Sequence, residues 1–273
     1  MQFDTYKIQS TALKKCVQYI LFNYSNDHTT NRLITSYANN NICLGIIKDN
    51  VLSEGVNQEK LMKAKPGIHS YISGMYLAPH RFRATGAIDE ICIDFTPLGY
   101  YQFFRNPLKT YILEENIIAE AWGKEAVFTF EQVFDEAGVQ QRGAMIEEFL
   151  LKKLLSTEHV FLQQCLYEMH GAQGKTTLQA LSKNLKCSEK KIIRTFCATL
   201  DITPKDYMKI MRFRNALTLL KNKAYSLTEV AYELEYYDQS HFIKDIKFFT
   251  GLTPKKLYYS LHNIHDDVLV SIQ

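Results

Sequence analysis

Apolar residues change their spacing partway along this chain. Up to about residue 96 they come in short β-branched and aromatic runs bounded by Gly, Pro or Asn; after Pro97 they recur every three or four positions. Residues 1–25 read as helical around Leu13, Val17, Tyr19 and Ile20. Residues 31–50 predict a hairpin, with Leu33 to Tyr37 as one strand, Asn39-Asn40-Asn41 as the turn and Ile42 to Ile47 as the return. Further strands are expected over Ile68 to Leu77, Phe82 to Thr85 and Ile91 to Phe95, together a small antiparallel sheet or partial barrel. Helices follow: a short one over Leu98 to Phe104, then Ile117 to Trp122, Phe128 to Ala137 and Arg142 to Leu155. Another starts near Ser156-Thr157-Glu158 and runs to about His170.

The last hundred residues carry one pattern twice. Leu178, Leu181 and Leu185 precede Ser188, which opens Ile192, Ile193 and Phe196 and runs into Asp201-Ile202-Thr203-Pro204. Leu227, Val230 and Leu234 precede Asp238, which opens Phe242, Ile243 and Ile246 and runs into Gly251-Leu252-Thr253-Pro254. Ser226-Leu227-Thr228-Glu229 is a capping box, and Ser188 and Asp238 are N-caps. Each Thr-Pro starts another helix, because Pro at the first helical position loses no hydrogen bond. Two helices joined by a tight turn, repeated, outline a pair of helix-turn-helix units, a geometry that serves the DNA major groove. The helix between them, Lys205 to about Asn222, spans roughly 25 Å at 1.5 Å per residue. Successive major grooves on one face of a duplex lie about 34 Å apart.

Helical periodicity sorts the faces of the second helix in each unit. Over 189–200, Ile192, Phe196, Thr199 and Leu200 point inward, which leaves Lys190, Lys191, Ile193, Arg194 and Cys197 outside. Over 239–250, Phe242, Ile246 and Phe249 point inward and Gln239, Ser240, Ile243, Lys244 and Lys247 outward. Arg and Lys donate to guanine, Gln pairs with adenine, and Ile packs on a thymine methyl. Lys183, Lys186, Lys190, Lys209, Lys223 and Lys255 are candidates for phosphate contacts.

Charge sharpens the picture. Residues 171–260 hold 16 Lys+Arg and 8 Asp+Glu, a balance of +8, while the remaining positions balance at −5 within a chain total of +3. A basic end on a mildly acidic body is the footprint of docking onto a polyanion. The 46% hydrophobic share, with 16 Phe and 17 Tyr, gives ample core material. No apolar run reaches the roughly 18–20 residues a membrane span needs. No secretory leader is evident, and the six Cys, without Cys-x-x-Cys, read as reduced thiols of a cytoplasmic protein.

Residues 175–260 resemble the tandem helix-turn-helix domain of AraC/XylS-type transcription regulators. The resemblance rests on Leu178 to Leu185, Ser188 to Tyr207, Arg212-Phe213-Arg214-Asn215-Ala216-Leu217 and Ser226 to Tyr258. It implies that Lys190, Ile193 and Arg194 in the first unit, and Gln239, Ser240, Ile243 and Lys244 in the second, read bases. The chain departs from the family where Glu235 and Asp201 replace Gly, where Ile246 replaces Phe, and where Phe248 occupies a usually basic position. The N-terminal part resembles a sensor-like domain of a bacterial subgroup of the family, through Phe95-Thr96-Pro97-Leu98-Gly99-Tyr100-Tyr101, Asn106-Pro107-Leu108 and Ala121-Trp122-Gly123.

The expectation is therefore an α+β chain in three parts. Residues 1–157 form a sensor or dimerisation domain, a small antiparallel sheet or partial barrel with helices. Residues 158–260 form an all-α tandem helix-turn-helix domain, and 261–273 a flexible tail. Double-stranded DNA is the expected partner. A small-molecule effector and a homodimer are the alternatives for the N-terminal part, with RNA polymerase as a further partner if the protein activates. No cofactor, metal, membrane or catalytic group is expected. Two rival readings are weighed: an alkylation-repair type of enzyme delivered to DNA, for which Cys16, Cys43 or Cys92 would be the nucleophile, and a ligand-independent architectural protein. His262-x-x-His265 with Asp266-Asp267 is read as chain end rather than metal site, His69 and His80 as ordinary histidines, and Gly174-Lys175-Thr176 as no phosphate loop, since Met169 stands where its first Gly belongs.

Overall fold

The computed structural model describes residues 2–29, 31–54, 59–111, 116–221, 225–260 and 270–272. The chain divides into two compact units. One contains residues 1–33, 41–74 and 82–158; the other contains 34–40, 75–81 and 159–273.

The sheet is built from β1 (Gln2–Tyr6), β2 (Val17–Ser25), β3 (Asn31–Ser36), β4 (Ile42–Glu54), β5 (Glu59–Ser73), β6 (His80–Thr85) and β7 (Ile88–Phe95). They lie in the order β1-β2-β7-β4-β5-β6-β3, a half-barrel, as the partial-barrel expectation has it. Two expectations are corrected. Residues 1–25 are two strands with a single helical turn at Leu13–Lys15 between them, not a helix. β2 is buried on both faces, so its apolar residues run almost continuously and show no clean period of two. Residues 31–50 supply two strands that do not pair with each other. β4 pairs instead with β5 (Cys43 opposite Ser73) and with β7 (Ile42 opposite Phe95).

One face of the sheet, with Ile20, Phe22, Leu44, Ile46, Ile72, Ile91, Ile93 and Phe95, is apolar and buried. Phe95 lies 5.1 Å from Phe103, which begins the aromatic layer beyond it. That layer continues through α1 (Ile117–Trp122), α2 (Lys124–Asp135) and α3 (Val139–Lys153), with Trp122 5.4 Å and Phe130 5.6 Å from Phe149. Side chains alternate across a strand, so the other face carries Asn23, Cys43, Tyr71, Glu90 and Cys92. There Gly45 separates Tyr71 on β5 from Cys92 on β7. A Cβ at Gly45 would overlap the Tyr71 ring, and its absence lets the phenol cross β4 to donate to Glu90 at 2.8 Å. Asn23 donates to the other oxygen of Glu90 at 2.9 Å.

Arg142 on α3 grips Asp89 with both terminal nitrogens, at 2.9 and 3.1 Å. Glu147 accepts from the Tyr6 hydroxyl at 2.8 Å and from the backbone of Gln9 and Ser10. These carboxylates, Glu147 buried and Asp89 half-buried, tie α3 to the first strand and to the sheet.

The second unit is mostly helical: α4 (Val160–Gly171), α5 (Leu178–Asn184), α6 (Glu189–Leu200), α7 (Pro204–Lys221), α8 (Leu227–Glu233), α9 (Gln239–Thr250) and α10 (Pro254–Ser260). α4 begins four residues later than the sequence implies. Thr157 does not cap it: its hydroxyl donates to the Tyr101 carbonyl and accepts from Gln102, both at 2.8 Å. Gly174, in the left-handed region, donates to the Met169 carbonyl at 2.9 Å and closes α4, which gives the Gly174-Lys175-Thr176 run its structural role. Of the tail 261–273, residues 270–272 are described. They form a strand, β8 (Val270–Ile272), paired with residues 34–36. The His262/His265 pair lies outside the described residues.

Candidate nucleic-acid interface

Each of the two recognition-type helices is started by a cap the sequence names. Ser188 accepts from the Lys191 amide at 3.3 Å and opens α6. Asp238 accepts from the His241 amide at 2.7 Å and opens α9. The short helices ahead of them are capped as well, α5 by Thr177 and α8 by the full Ser226/Glu229 capping box. The turns between the helices use left-handed backbone at Lys186 (φ 48°) and Glu235 (φ 54°), without a glycine at either place. α6 ends on Asp201 at φ 55° and α9 on Gly251 at φ 71°. Asp tolerates this region better than Glu, because its short side chain bonds locally.

α7 is the common support. Tyr207, Ile210, Phe213, Ala216, Leu217 and Leu220 are all at most 1% exposed, so the helix is core along its whole length. Phe196 of α6 meets Tyr207 at 5.7 Å, and Phe249 of α9 stacks on Phe213 at 4.6 Å. Phe213 lies six positions after Tyr207, about 9 Å of helix axis at 1.5 Å each. The two recognition helices are therefore clamped to one continuous rod of about 27 Å.

The inward residues Ile192, Phe196, Leu200, Phe242, Ile246 and Phe249 are buried, and Thr199 is half-buried. Lys190, Ile193, Arg194 and Cys197 are exposed on α6, as are Gln239, Ser240, Lys244 and Lys247 on α9; Ile243 is half-buried. Lys191 is more constrained than its outward position implies, since its ammonium sits 4.1 Å over the Phe161 ring of α4. Lys183, Lys186 and Lys255 are exposed. Lys209 is half-buried and 3.7 Å from Asp206, and Lys223 lies outside the described residues. The Asp238 cap leaves a carboxylate at the N-terminus of α9, which disfavours a phosphate there.

One exposed aromatic lies in the turn ahead of α9 and not on its outward face. Tyr237, 93% exposed, directly precedes the Asp238 cap. Its signal in the sequence is an aromatic outside the helical period, next to the start of an outward-facing helix. Behind it Tyr236 is buried, with the Arg212 guanidinium 5.5 Å over its ring. Burial and the neighbouring Asp245 push its phenol pKa up.

Two short capped helices, each followed across a tight turn by a 12-residue helix with a polar outer face, define a paired helix-turn-helix unit on a central rod. A family profile described as "Helix-turn-helix domain" matches residues 181–258, and the C-terminal part of this chain is an AraC-type helix-turn-helix domain. The chain is 33% identical over 104 residues, 38% of its length, to YidL, an uncharacterized HTH-type transcriptional regulator of Escherichia coli. It is 25% identical over 124 residues, 44% of its length, to the Msm operon regulatory protein of Streptococcus mutans. These matches span 32% and 45% of the two relatives, so the chain covers less than half of either. Among solved structures, fatty-acid-bound ToxT of Vibrio cholerae aligns with a TM-score of 0.48 at 9% identity, over 91% of this chain and 98% of that one. Among the described residues no helix is long and apolar enough to cross a membrane.

Proposed function

We propose that this protein is a sequence-specific, double-stranded-DNA-binding transcription regulator that places α6 and α9 in adjacent major grooves. The observation that carries the reading is the pair of outward polar faces on two helices clamped to one rod, within the segment whose charge balance is +8. Lys190, Ile193 and Arg194 read one box and Gln239, Ser240, Ile243 and Lys244 the other. Lys183, Lys186 and Lys255 supply phosphate contacts, and Tyr237 packs on the sugar-phosphate edge beside α9. The N-terminal part responds to a small molecule or pairs two chains, in the cytoplasm of a bacterium.

The repair-enzyme alternative needs a reactive thiol. Burial raises Cys16, while Cys43 is held well up by its hydrogen bond with Cys92 and by burial; Cys92 itself is raised to about 11. A thiol kept protonated is a poor nucleophile, which weighs against that reading.

Enrichment of random duplexes on the full chain tests the proposal. The expected result is two short boxes about one helical turn apart, with affinity falling steeply as salt rises. Enrichment of a single box would reject the two-groove geometry. Affinity that barely changes with salt would reject the phosphate contacts.

A further inference from the structure

The two helix-turn-helix pairs correspond position by position. α5 and α8 are each 7 residues long, capped by Thr177 and Ser226, and each is followed two positions on by left-handed backbone, at Lys186 (φ 48°) and Glu235 (φ 54°). α6 and α9 are each 12 residues long and end on left-handed residues as well, Asp201 and Gly251. The inward register is shared: Leu181 answers Val230, Ile192 answers Phe242 and Phe196 answers Ile246, all 0% exposed. Because the inward positions match, the outward ones match too. The second turn is one residue longer, and Tyr237 is the extra residue.

Their charges do not match. Residues 177–201 hold five Lys+Arg and two Asp+Glu, a balance of +3, whereas residues 226–251 hold two and five, a balance of −3. The +8 of the segment 171–260 is therefore not shared between the two pairs. The sharpest reversal falls on the first helix of each pair and the turn after it, the part that crosses the DNA backbone in this geometry. Lys183 and Lys186 are exposed there, and the same places in the second pair hold Tyr232, 84% exposed, and Glu235, also exposed. Asn184 is answered by Glu233, again exposed. Lys175 lies 3.7 Å from Glu235, which counters part of its charge but puts no cation in its place. Two cations facing a phosphate strand have become an aromatic and a carboxylate.

We infer that the two pairs do unequal work on the duplex: α5 and its turn grip the phosphate backbone, whereas α8 and its turn do not, so the second pair adds sequence choice rather than hold. The inference rests on the regulator reading and assigns the division of labour within it. Each phosphate contact releases counterions and makes log K fall with log salt more steeply, by about 0.9. Lys183 and Lys186 together account for about 1.8 of that slope, roughly a 12-fold change in affinity between about 50 and 200 mM salt. Tyr232 and Glu235 account for none of it. Gln239, Ser240 and Ile243 act through hydrogen bonds and apolar contact with base edges, which depend little on salt.

Fluorescence anisotropy of the full chain on its enriched duplex, over a series of salt concentrations, tests this. The same neutral side chain is placed at all four positions, Lys183→Gln with Lys186→Gln in one variant and Tyr232→Gln with Glu235→Gln in another. All four side chains are exposed, and circular dichroism melts verify that the variants are folded. The first variant should flatten the slope by about 1.8 and weaken binding, while the second should leave the slope unchanged and weaken nothing. A third variant, Tyr232→Lys with Glu235→Lys, moves the cations of α5 onto the matching places beside α8 and should steepen the slope by about 1.8. Equal loss of slope from both neutral variants, or a third variant that does not steepen it, overturns the inference. A parent chain that binds no duplex at low salt sinks the regulator reading itself; a parent that binds, and loses slope equally from either pair, sinks this inference alone.

Discussion

Replacing Glu90 by Gln changes one buried charge and almost nothing else. Glu90 is 7% exposed and accepts from Tyr71 at 2.8 Å and from Asn23 at 2.9 Å. Burial pushes its carboxyl pKa up, and the hydrogen bonds from Asn23 and Tyr71 only partly pull it back. A carboxyl whose folded pKa lies above its unfolded value contributes stability below the ordinary range, near ~4.3, and loses it as pH rises through the raised value. Above that raised value the charged form is held against its desolvation cost. In Glu90→Gln the amide oxygen still accepts from Tyr71. The amide nitrogen needs an acceptor, and Asn23 can supply one by turning its own amide, since its Oδ1 has no hydrogen-bond partner. Both bonds survive, one Asn23 atom stays unpaired as before, and the charge is gone. Above the raised pKa the expected gain is about 1–2 kcal/mol, at the lower end of what neutralising a buried charged site gives. For a unit of this size that is about 2–8 °C in Tm. Thermal unfolding followed through Trp122 isolates the first unit, and runs from pH 5 to 8 separate the two causes. The advantage of the variant should shrink as pH falls. A variant that is less stable than the parent at the top of that pH range, or whose difference from the parent does not vary with pH, would refute the reasoning.

Three further outcomes follow from the second unit. Glu235→Gly relieves a left-handed residue at a cost of about 1–2 kcal/mol but frees the unfolded chain and removes the 3.7 Å contact with Lys175, so chemical denaturation should show a net gain of only about 0.5 kcal/mol. Phe213→Ala removes the ring stacked on Phe249 and should cost about 3–5 kcal/mol in the same assay, with DNA affinity lost at temperatures where the parent still binds. Arg194→Ala and Lys244→Ala should each relax sequence preference in one box only, at about 1–3 kcal/mol for a base contact, whereas Lys183→Ala should weaken all duplexes alike and flatten the salt dependence; competition binding on scrambled boxes distinguishes these effects.

The two halves of the chain were legible to different degrees, for a physical reason. In α5 to α10 every start signal is local: Thr177, Ser188, Ser226 and Asp238 each bond an amide within three residues, and the inward residues follow from 3.6-fold spacing alone. Sheet pairing has no such local code. Nothing near β4 announces that its partners are β7, some fifty residues on, and β5 rather than β3. β2, buried on both faces, loses the alternation that would have marked it as a strand, and its apolar density passes for a helix.

What the sequence left open about the interface is the distance between its two recognition helices, and α7 supplies it. A connecting helix with one apolar stripe would pack on one bundle and leave the other to swing. α7 is buried on more than one side, with Tyr207 serving α6 and Phe213 serving α9, and Met208, Ile210 and Met211 between them are buried as well. Bending it would expose Ile210 and Met211, which together with Phe213 amounts to several kcal/mol at ~1.5–3 kcal/mol per fully buried apolar side chain. The spacing of α6 and α9 is thus a property of a packed core and not of a linker. A duplex whose two boxes are moved apart by half a turn cannot be followed by the protein, and it should bind no better than one carrying a single box.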